Sequence, residues 1–433
     1  MSQGQNAPVV AGLDIGSNKV VTVMARKTAT GVEILGMGSS PTDGMRRGAV
    51  VNVDSIVQAI RESVGEAEKS AGEAAGVVFA GVSGPLVKSF NSHAAISVKN
   101  EHEVTDADVA RVLERAKDVE LPHDRETLHV LTQEFIVDDS GGIKDPRGMT
   151  GIRLDARVHV VTADIPSMKN LTRCIDKAGL EVTDLVLSSL ATSEAVLTPE
   201  ELEVGVVLLD FGGGTVEMAI FRDGSLRHTA FLPYGGSMIT SDLANVLKLP
   251  FQDAEMLKVN SGCAMIQKVR RDELVELPGI GGRKPKPIRR QHIAEIIEAR
   301  SEEIFHRLKK EIMRSGLDDQ IGAGIVLTGG SALMEGLPEL GERVFGADVR
   351  PGLRSIGIDG MVEMVAGPGY STAVGLTKYG ARMVDQAGPV EQDGDGDGLL
   401  ARFMRKMQEL FSHAFNGRQG GEQYVLGGRG KSL

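Results

Sequence analysis

The chain contains no tryptophan, and aromatic residues make up only 4% of it. Proteins that bind single-stranded nucleic acid stack bases on aromatic rings, so that class is disfavoured. A formal net charge of −11 argues the same way, because nucleic-acid binders carry a basic face. Only two cysteines occur, Cys174 and Cys263, far apart and with no histidine at metal-ligand spacing. They read as reduced thiols, which argues against a disulfide scaffold or a zinc centre. No apolar run reaches the ~18 residues needed to span a bilayer. The stretch Met1 to Asn6 has no basic segment leading into an apolar core, so no signal peptide is expected. The body of the protein is expected in the cytosol.

Glycine, by contrast, is plentiful, with 54 residues gathered largely in a few turns. The 433 residues, 41% of them apolar and 25% charged, suffice for two ordinary globular domains. Two stretches are near-copies: Leu13-Asp14-Ile15-Gly16-Ser17-Asn18-Lys19-Val20 and Leu209-Asp210-Phe211-Gly212-Gly213-Gly214-Thr215-Val216. Each follows an apolar strand pattern, turns on glycine and returns into a second apolar strand. The result is a β-hairpin with an aspartate at its mouth. Its turn aims successive backbone N–H groups at one point and makes an anion nest. A carboxylate beside such a nest suits a hydrated Mg²⁺, which binds through one or two carboxylates and keeps several waters. Two copies in opposite halves of one chain imply duplicated domains gripping one polyphosphate from both sides.

Strands are expected at Val9 to Leu13, Val20 to Ala25, Val32 to Gly36 and Val77 to Val82, with a helix after Asp54 as its cap. The segment Leu86 to Ala163 reads as an inserted unit. It holds strands at Ala94 to Val98, Leu128 to Val137 and Ala156 to Ala163, and a helix capped by Thr105. A helix from Met168 to Gly179, a strand from Val182 to Leu187 and a helix from Ser188 to Leu197 resume the first half. Thr198-Pro199-Glu200-Glu201 has helix-cap chemistry. The second half opens with a strand from Val204 to Leu209. Helices follow at about Ser237 to Leu247 and Asp253 to Asn260, then a loop from Pro278 to Pro287 and a long amphipathic helix from Gln291 to Arg314. A strand from Gly324 to Leu327 runs into Thr328-Gly329-Gly330-Ser331, after which Ala332 to Leu337 starts like a helix. The last helix of the body is Tyr370 to Val384. This alternation makes the fold class α/β.

The order Asp-Ile-Gly-Ser-Asn-Lys, Asp-Phe-Gly-Gly-Gly-Thr, Gly-Gly-Ser, Thr-Gly-Gly-Ser resembles the ATPase superfamily of actin, heat-shock chaperones and sugar kinases. The resemblance implies an actin-like fold of two α/β domains around a nucleotide cleft holding ATP and Mg²⁺. By motif position, Asp14, Gly16, Ser17, Asn18 and Lys19 would form the first phosphate loop, and Asp210, Gly212, Gly213, Gly214 and Thr215 the second. Gly235 and Gly236 precede a helix, Gly329, Gly330 and Ser331 would lie along the adenosine, and Glu255 and Lys258 would reach the base and ribose. Asp14 and Asp210 would hold Mg²⁺ through water. No residue stands out as a positioned base for an attacking water, so hydrolysis is expected to be slow at most. Two competing motifs fail. Gly430-Lys431-Ser432 mimics the end of a P-loop, but Val425 stands where its first glycine belongs. Asp393 to Gly398 mimics an EF-hand opening, but Met404 occupies the twelfth position.

After Val384 comes an acidic, glycine-rich spacer, residues 385–398. Residues 399–415 then form an amphipathic pattern. Leu400, Phe403, Met404, Met407, Leu410, Phe411 and Phe415 fall on one face, and Arg402, Arg405 and Lys406 on the other. Three cations, one acid and three phenylalanines suit an anionic membrane surface. Adsorption by single tails would be modest, and avidity on a polymer would strengthen it.

Nucleotide motifs, inserted unit and tail together resemble the FtsA family of bacterial actin-like cell-division proteins, from about Val9 to Phe415. The resemblance implies subdomain 1A at residues 8–84 and 164–204, 1C at 85–163, 2A at 205–236 and 315–365, 2B at 237–314, and a return helix at 366–384. It implies self-association into filaments and attachment to the cytoplasmic side of the membrane at the division site. It also implies binding of the FtsZ C-terminal peptide by 2B and of later division proteins by 1C. Arg289, Arg290, Arg300 and Lys309 are candidate contacts for that acidic peptide, with Arg283, Lys284 and Lys286 nearby. A pilus-assembly adaptor, a sugar kinase and a chaperone ATPase are the alternatives. The glycine-rich segment 416–433 departs from the family pattern and has no physical account.

Overall fold

The computed structural model describes residues 7–99, 103–279, 284–352 and 357–386. The amphipathic segment with its ten lipid-facing and basic candidates, the acidic spacer, the glycine-rich tail and Arg283 lie outside the described residues. The chain divides into two units, Met1–Arg382 and Met383–Leu433, and the first carries the site.

The first half opens as an antiparallel meander of β1 (Val9–Ile15), β2 (Lys19–Lys27) and β3 (Val32–Pro41). A small hairpin of β4 (Met45–Arg46) and β5 (Ala49–Val50) leads into α1 (Val53–Ala71). The cap of α1 is Asn52, not Asp54. Asn52 has the extended backbone a cap needs and accepts from the Ser55 N–H, whereas Asp54 already sits inside the first turn. β6 (Val77–Val82) is buried along its whole length and runs parallel to β1, as a strand covered on both faces should.

The chain then leaves this sheet. β7 (Val87–Ser97), α2 (Asp106–Lys117), β8 (Arg125–Val137), β9 (Ser140–Ile143) and β10 (Arg153–Asp164) build a separate antiparallel sheet in the order β7-β10-β8-β9. Thr105 caps α2 in a reciprocal box with Asp108. β7 starts seven residues earlier than its apolar pattern suggests, at Val87 rather than Ala94. Its first stretch is polar because it faces polar partners from the other half: the Ser89 and Thr229 hydroxyls lie 2.6 Å apart. α3 (Ile165–Ala178) stops at left-handed Gly179, β11 (Val182–Leu187) rejoins the first sheet beside β6, and α4 (Ser188–Val196) follows.

In the second half α5 (Pro199–Val204) is capped by Thr198 and Glu201. It absorbs Val204, so β12 begins two residues later than expected (Val206–Phe211). β13 (Val216–Arg222), β14 (Ser225–Leu232), α6 (Gly236–Leu247) and α7 (Phe251–Ser261) come next. β15 (Leu274–Leu277) pairs with β16 (Lys286–Arg289), so the end of the expected loop is a strand. α8 (Arg290–Ser315), β17 (Ile325–Thr328), α9 (Leu337–Phe345), β18 (Val349–Pro351), β19 (Ile358–Gly360) and α10 (Ser371–Gln386) complete the chain. The residues after Thr328 form a short 3₁₀ turn, Gly330–Leu333. α9 waits until left-handed Gly336 has redirected the chain.

The duplication is visible in the sheets. β3-β2-β1-β6-β11 and β14-β13-β12-β17-β18 have the same order, three antiparallel strands followed by two parallel ones. α8 buries Ile293, Ile297, Ile304, Leu308 and Ile312 in the second core. A shared cluster joins both sheets through Val21, Val23, Val206 and Leu208 with Ala373 and Val374 of α10. α10 approaches α4 so closely that a β-carbon on Gly375 would fall 1.9 Å from the Ala191 carbonyl oxygen.

Candidate functional site

The two near-copies fold as the same hairpin. Asp14 pairs with Val21 and Ile15 with Val20, while Asp210 pairs with Glu217 and Phe211 with Val216. In the first turn the Gly16 N–H donates to the Lys19 carbonyl at 3.0 Å, and in the second the Gly212 N–H donates to the Thr215 carbonyl at 3.0 Å. The turns meet tip to tip. A β-carbon on Gly213 would lie 2.6 Å from Asn18 Nδ2, and one on Gly214 would lie 2.5 Å from Ser17 Oγ. Glycine at these places lets the two turns approach this closely.

The remaining sequence candidates gather around the second turn. The N–H groups of Gly236 and Ser237 donate to the carbonyls of Gly212 and Gly213, at 3.0 and 2.8 Å. A β-carbon on Gly235 would strike the Gly213 carbonyl oxygen at 2.6 Å. Ser331 Oγ donates to the Gly212 carbonyl at 3.2 Å. Lys258, buried, donates to the Gly236 carbonyl at 3.2 Å, to Thr240 Oγ1 at 2.9 Å and to Glu255 at 2.7 Å. Burial holds the Lys258 ammonium below its ordinary range, opposed by Glu255. Gly329 adopts φ 87, and a β-carbon there would sit 2.4 Å from Asp210 Oδ1. Gly330 lies near Gly369, which in turn approaches Lys19.

Burial dominates the electrostatics of this cleft. Burial raises the Asp14 carboxyl to about 7, helped by Asp210 and opposed by Lys19. Burial also raises Asp210 to about 6, against a 3.1 Å hydrogen bond from the Thr372 hydroxyl. Lys19 is pushed below its usual range by burial, opposed by Asp14, and its ammonium lies 4.0 Å from the centre of the Tyr370 ring. Carboxyls this destabilised as anions favour a divalent cation between them. Among the described residues no cluster of three or more acid, histidine or cysteine ligands could hold a metal directly. Asp14 and Asp210 are two carboxyls, the number that a hydrated Mg²⁺ commonly uses.

Sequence reasoning missed three residues. Glu217 is a third carboxyl of this cleft, raised to about 8 by burial first and by Asp210 next, with a hydrogen bond from Ser83 opposing. Its signal was available, because it faces Asp210 across the hairpin. Held protonated by its surroundings, it presents a hydrogen-bond donor beside Asp210. Thr372 and Tyr370 left no local signal, since Thr372 lies in the first turn of α10 and Tyr370 ends the 3₁₀ turn just before it, both far along the chain. Of the four peptide-contact candidates, Arg290 is held between Glu273 and Glu335, and Arg300 is paired with Asp242 and Glu303. Lys309 donates to the Val344 carbonyl at 2.8 Å, and Arg289 is exposed.

Two family models match the chain, "Cell division protein FtsA" over residues 207–375 and "SHS2 domain inserted in FTSA" over residues 84–162. The cell division protein FtsA of Pseudomonas aeruginosa is 42% identical over 381 residues, spanning 88% of this chain and 91% of its own length. Among solved structures, the PilM–PilN type IV pilus biogenesis complex aligns with a TM-score of 0.60 at 17% identity, covering 86% of this chain and 98% of that one. MreB5 of Spiroplasma citri bound to ADP aligns with a TM-score of 0.54 at 13% identity, covering 88% and 98%. The structural likenesses establish an actin-like ATPase fold. The sequence relatives go further, and the chain belongs to the FtsA family of cell-division proteins.

Proposed function

We propose that this protein binds Mg²⁺–ATP between its two hairpins and, in that state, polymerises on the cytoplasmic face of the membrane. There it tethers the FtsZ ring through residues 399–415 and recruits later division proteins. The observation that carries the nucleotide reading is the tip-to-tip meeting of the two turns, with Asp14, Asp210 and Lys19 around it. The ADP-bound neighbour of the same fold supports the choice of ligand. Family membership and the basic amphipathic segment support the membrane and FtsZ roles. No helix among the described residues is long and apolar enough to cross a membrane, which suits surface attachment. The helices and strands α6 to α8 are the proposed 2B unit that receives the FtsZ peptide. Arg289 is its exposed contact, and Arg290, Arg300 and Lys309 would exchange intramolecular partners for the peptide's acids. The antiparallel sheet β7 to β10 with α2 is the proposed 1C unit.

Co-sedimentation with phosphatidylglycerol vesicles, with and without ATP and FtsZ, tests the reading. ATP-dependent pelleting that carries FtsZ along supports it. Pelleting that ignores both discards the adaptor role. ATP turnover dependent on a small polyol would favour a kinase instead.

A further inference from the structure

The β4–β5 hairpin touches the same turns and has no part in the reading above. Its loop is Arg47-Gly48, both left-handed, at φ 50 and φ 79. That is the geometry of a two-residue type I′ turn, which glycine takes freely and arginine takes at a cost. Surrounding contacts hold it there. Met45 is buried, and a β-carbon on Gly48 would come within 2.9 Å of Pro85 and 3.0 Å of Gly84. On its other side the loop reaches the phosphate turns. The Arg47 amide nitrogen lies 3.4 Å from the point where a β-carbon of Gly214 would stand, beside Ser17 Oγ. The Arg47 N–H has no backbone acceptor among the described residues. Its side chain is exposed, and neither Arg46 nor Arg47 has an ion pair among the described residues.

Few basic groups stand near the acids of the cleft. Asp14, Asp210 and Glu217 line it, Lys19 is the basic group beside them, and Lys258 is committed to Glu255. Arg47 borders the turn tips at Gly214 and Ser17, and Mg²⁺–ATP bound as proposed above would bring its terminal phosphate to those tips. We propose that Arg47 binds the terminal phosphate of the bound nucleoside triphosphate, making the β4–β5 hairpin a third wall of the site that distinguishes triphosphate from diphosphate. The inference rests on the Mg²⁺–ATP reading above. A guanidinium suits the task because its fork meets two phosphate oxygens at once.

Calorimetric titration of the full chain with Mg²⁺–ATP and Mg²⁺–ADP tests this, using R47G, R47N, R47K and R46G beside the parent. Glycine and asparagine both tolerate the left-handed backbone, so two variants remove the cation without forcing the turn. The expected result is about a tenfold loss of ATP affinity in R47G and R47N, the loss of one charge-assisted pair, with ADP affinity nearly unchanged. R47K should fall between, and R46G should keep the parent's ratio. An unchanged ATP-to-ADP ratio in R47G and R47N overturns the proposal, as does an equal loss of both nucleotides. A parent that binds neither nucleotide overturns the nucleotide reading itself.

Discussion

Glu217 stands directly across the β12–β13 ladder from Asp210, so both carboxyls rise from one face of the second hairpin. In the first hairpin the residue across from Asp14 is Val21. The duplicated clamp is therefore asymmetric. Each half places one aspartate at the mouth of its hairpin, but only the second sets another acid across from it.

Removing that acid has a pH signature. Burial raises Glu217 from 4.5 to about 8, so the folded chain holds a proton there that the unfolded chain has released. The folded state binds more protons between those values, and stability falls as pH rises through them. In nucleotide-free protein, Glu217→Gln should melt higher than the parent at pH 8.5 and about equally at pH 4.5. Parallel melting curves across this range would contradict the assignment. The same substitution should slow any ATP hydrolysis while leaving ATP binding intact.

Asp210→Ala removes a carboxyl from the proposed cation site together with the acceptor of Thr372. Loss of one charged contact of about 1.5–3 kcal/mol corresponds to roughly ten- to a hundredfold weaker Mg²⁺–ATP binding. Isothermal titration with and without EDTA measures it. Equal affinity in mutant and parent would discard the site.

Gly329 and its neighbour form an internal comparison. Gly329→Ala must tolerate φ 87 and a β-carbon 2.4 Å from Asp210 Oδ1. The backbone cost alone is about 1–2 kcal/mol. A melting temperature lower by several degrees is expected, together with loss of nucleotide. Gly330→Ala meets no atom within 4 Å and should melt like the parent.

Phe411→Glu places a charge on the apolar face of residues 399–415. Burying one large apolar side chain contributes roughly 1.5–3 kcal/mol, so the exchange should lower vesicle binding at least about tenfold. Nucleotide affinity should not change. Unaltered lipid sedimentation would argue against a membrane role for this segment.

Much of this protein is written locally. Asp14 and Asp210, the glycines after them and the apolar strands on either side fold as duplicate hairpins because each needs only residues within about ten positions. The same holds for the caps at Thr105 and Thr198 and for the apolar face of α8, where short-range hydrogen bonds and helical spacing decide the outcome. Tertiary structure decided what depends on distant segments meeting. It brought Thr372 to Asp210 and Tyr370 under Lys19, and set Arg47 against Gly214. It also paired Arg290 with Glu335 and Arg300 with Asp242, turning basic residues that read as available into partners of acids elsewhere. No sequence period marks such contacts, because they arise only when two sheets and α10 close around one cleft.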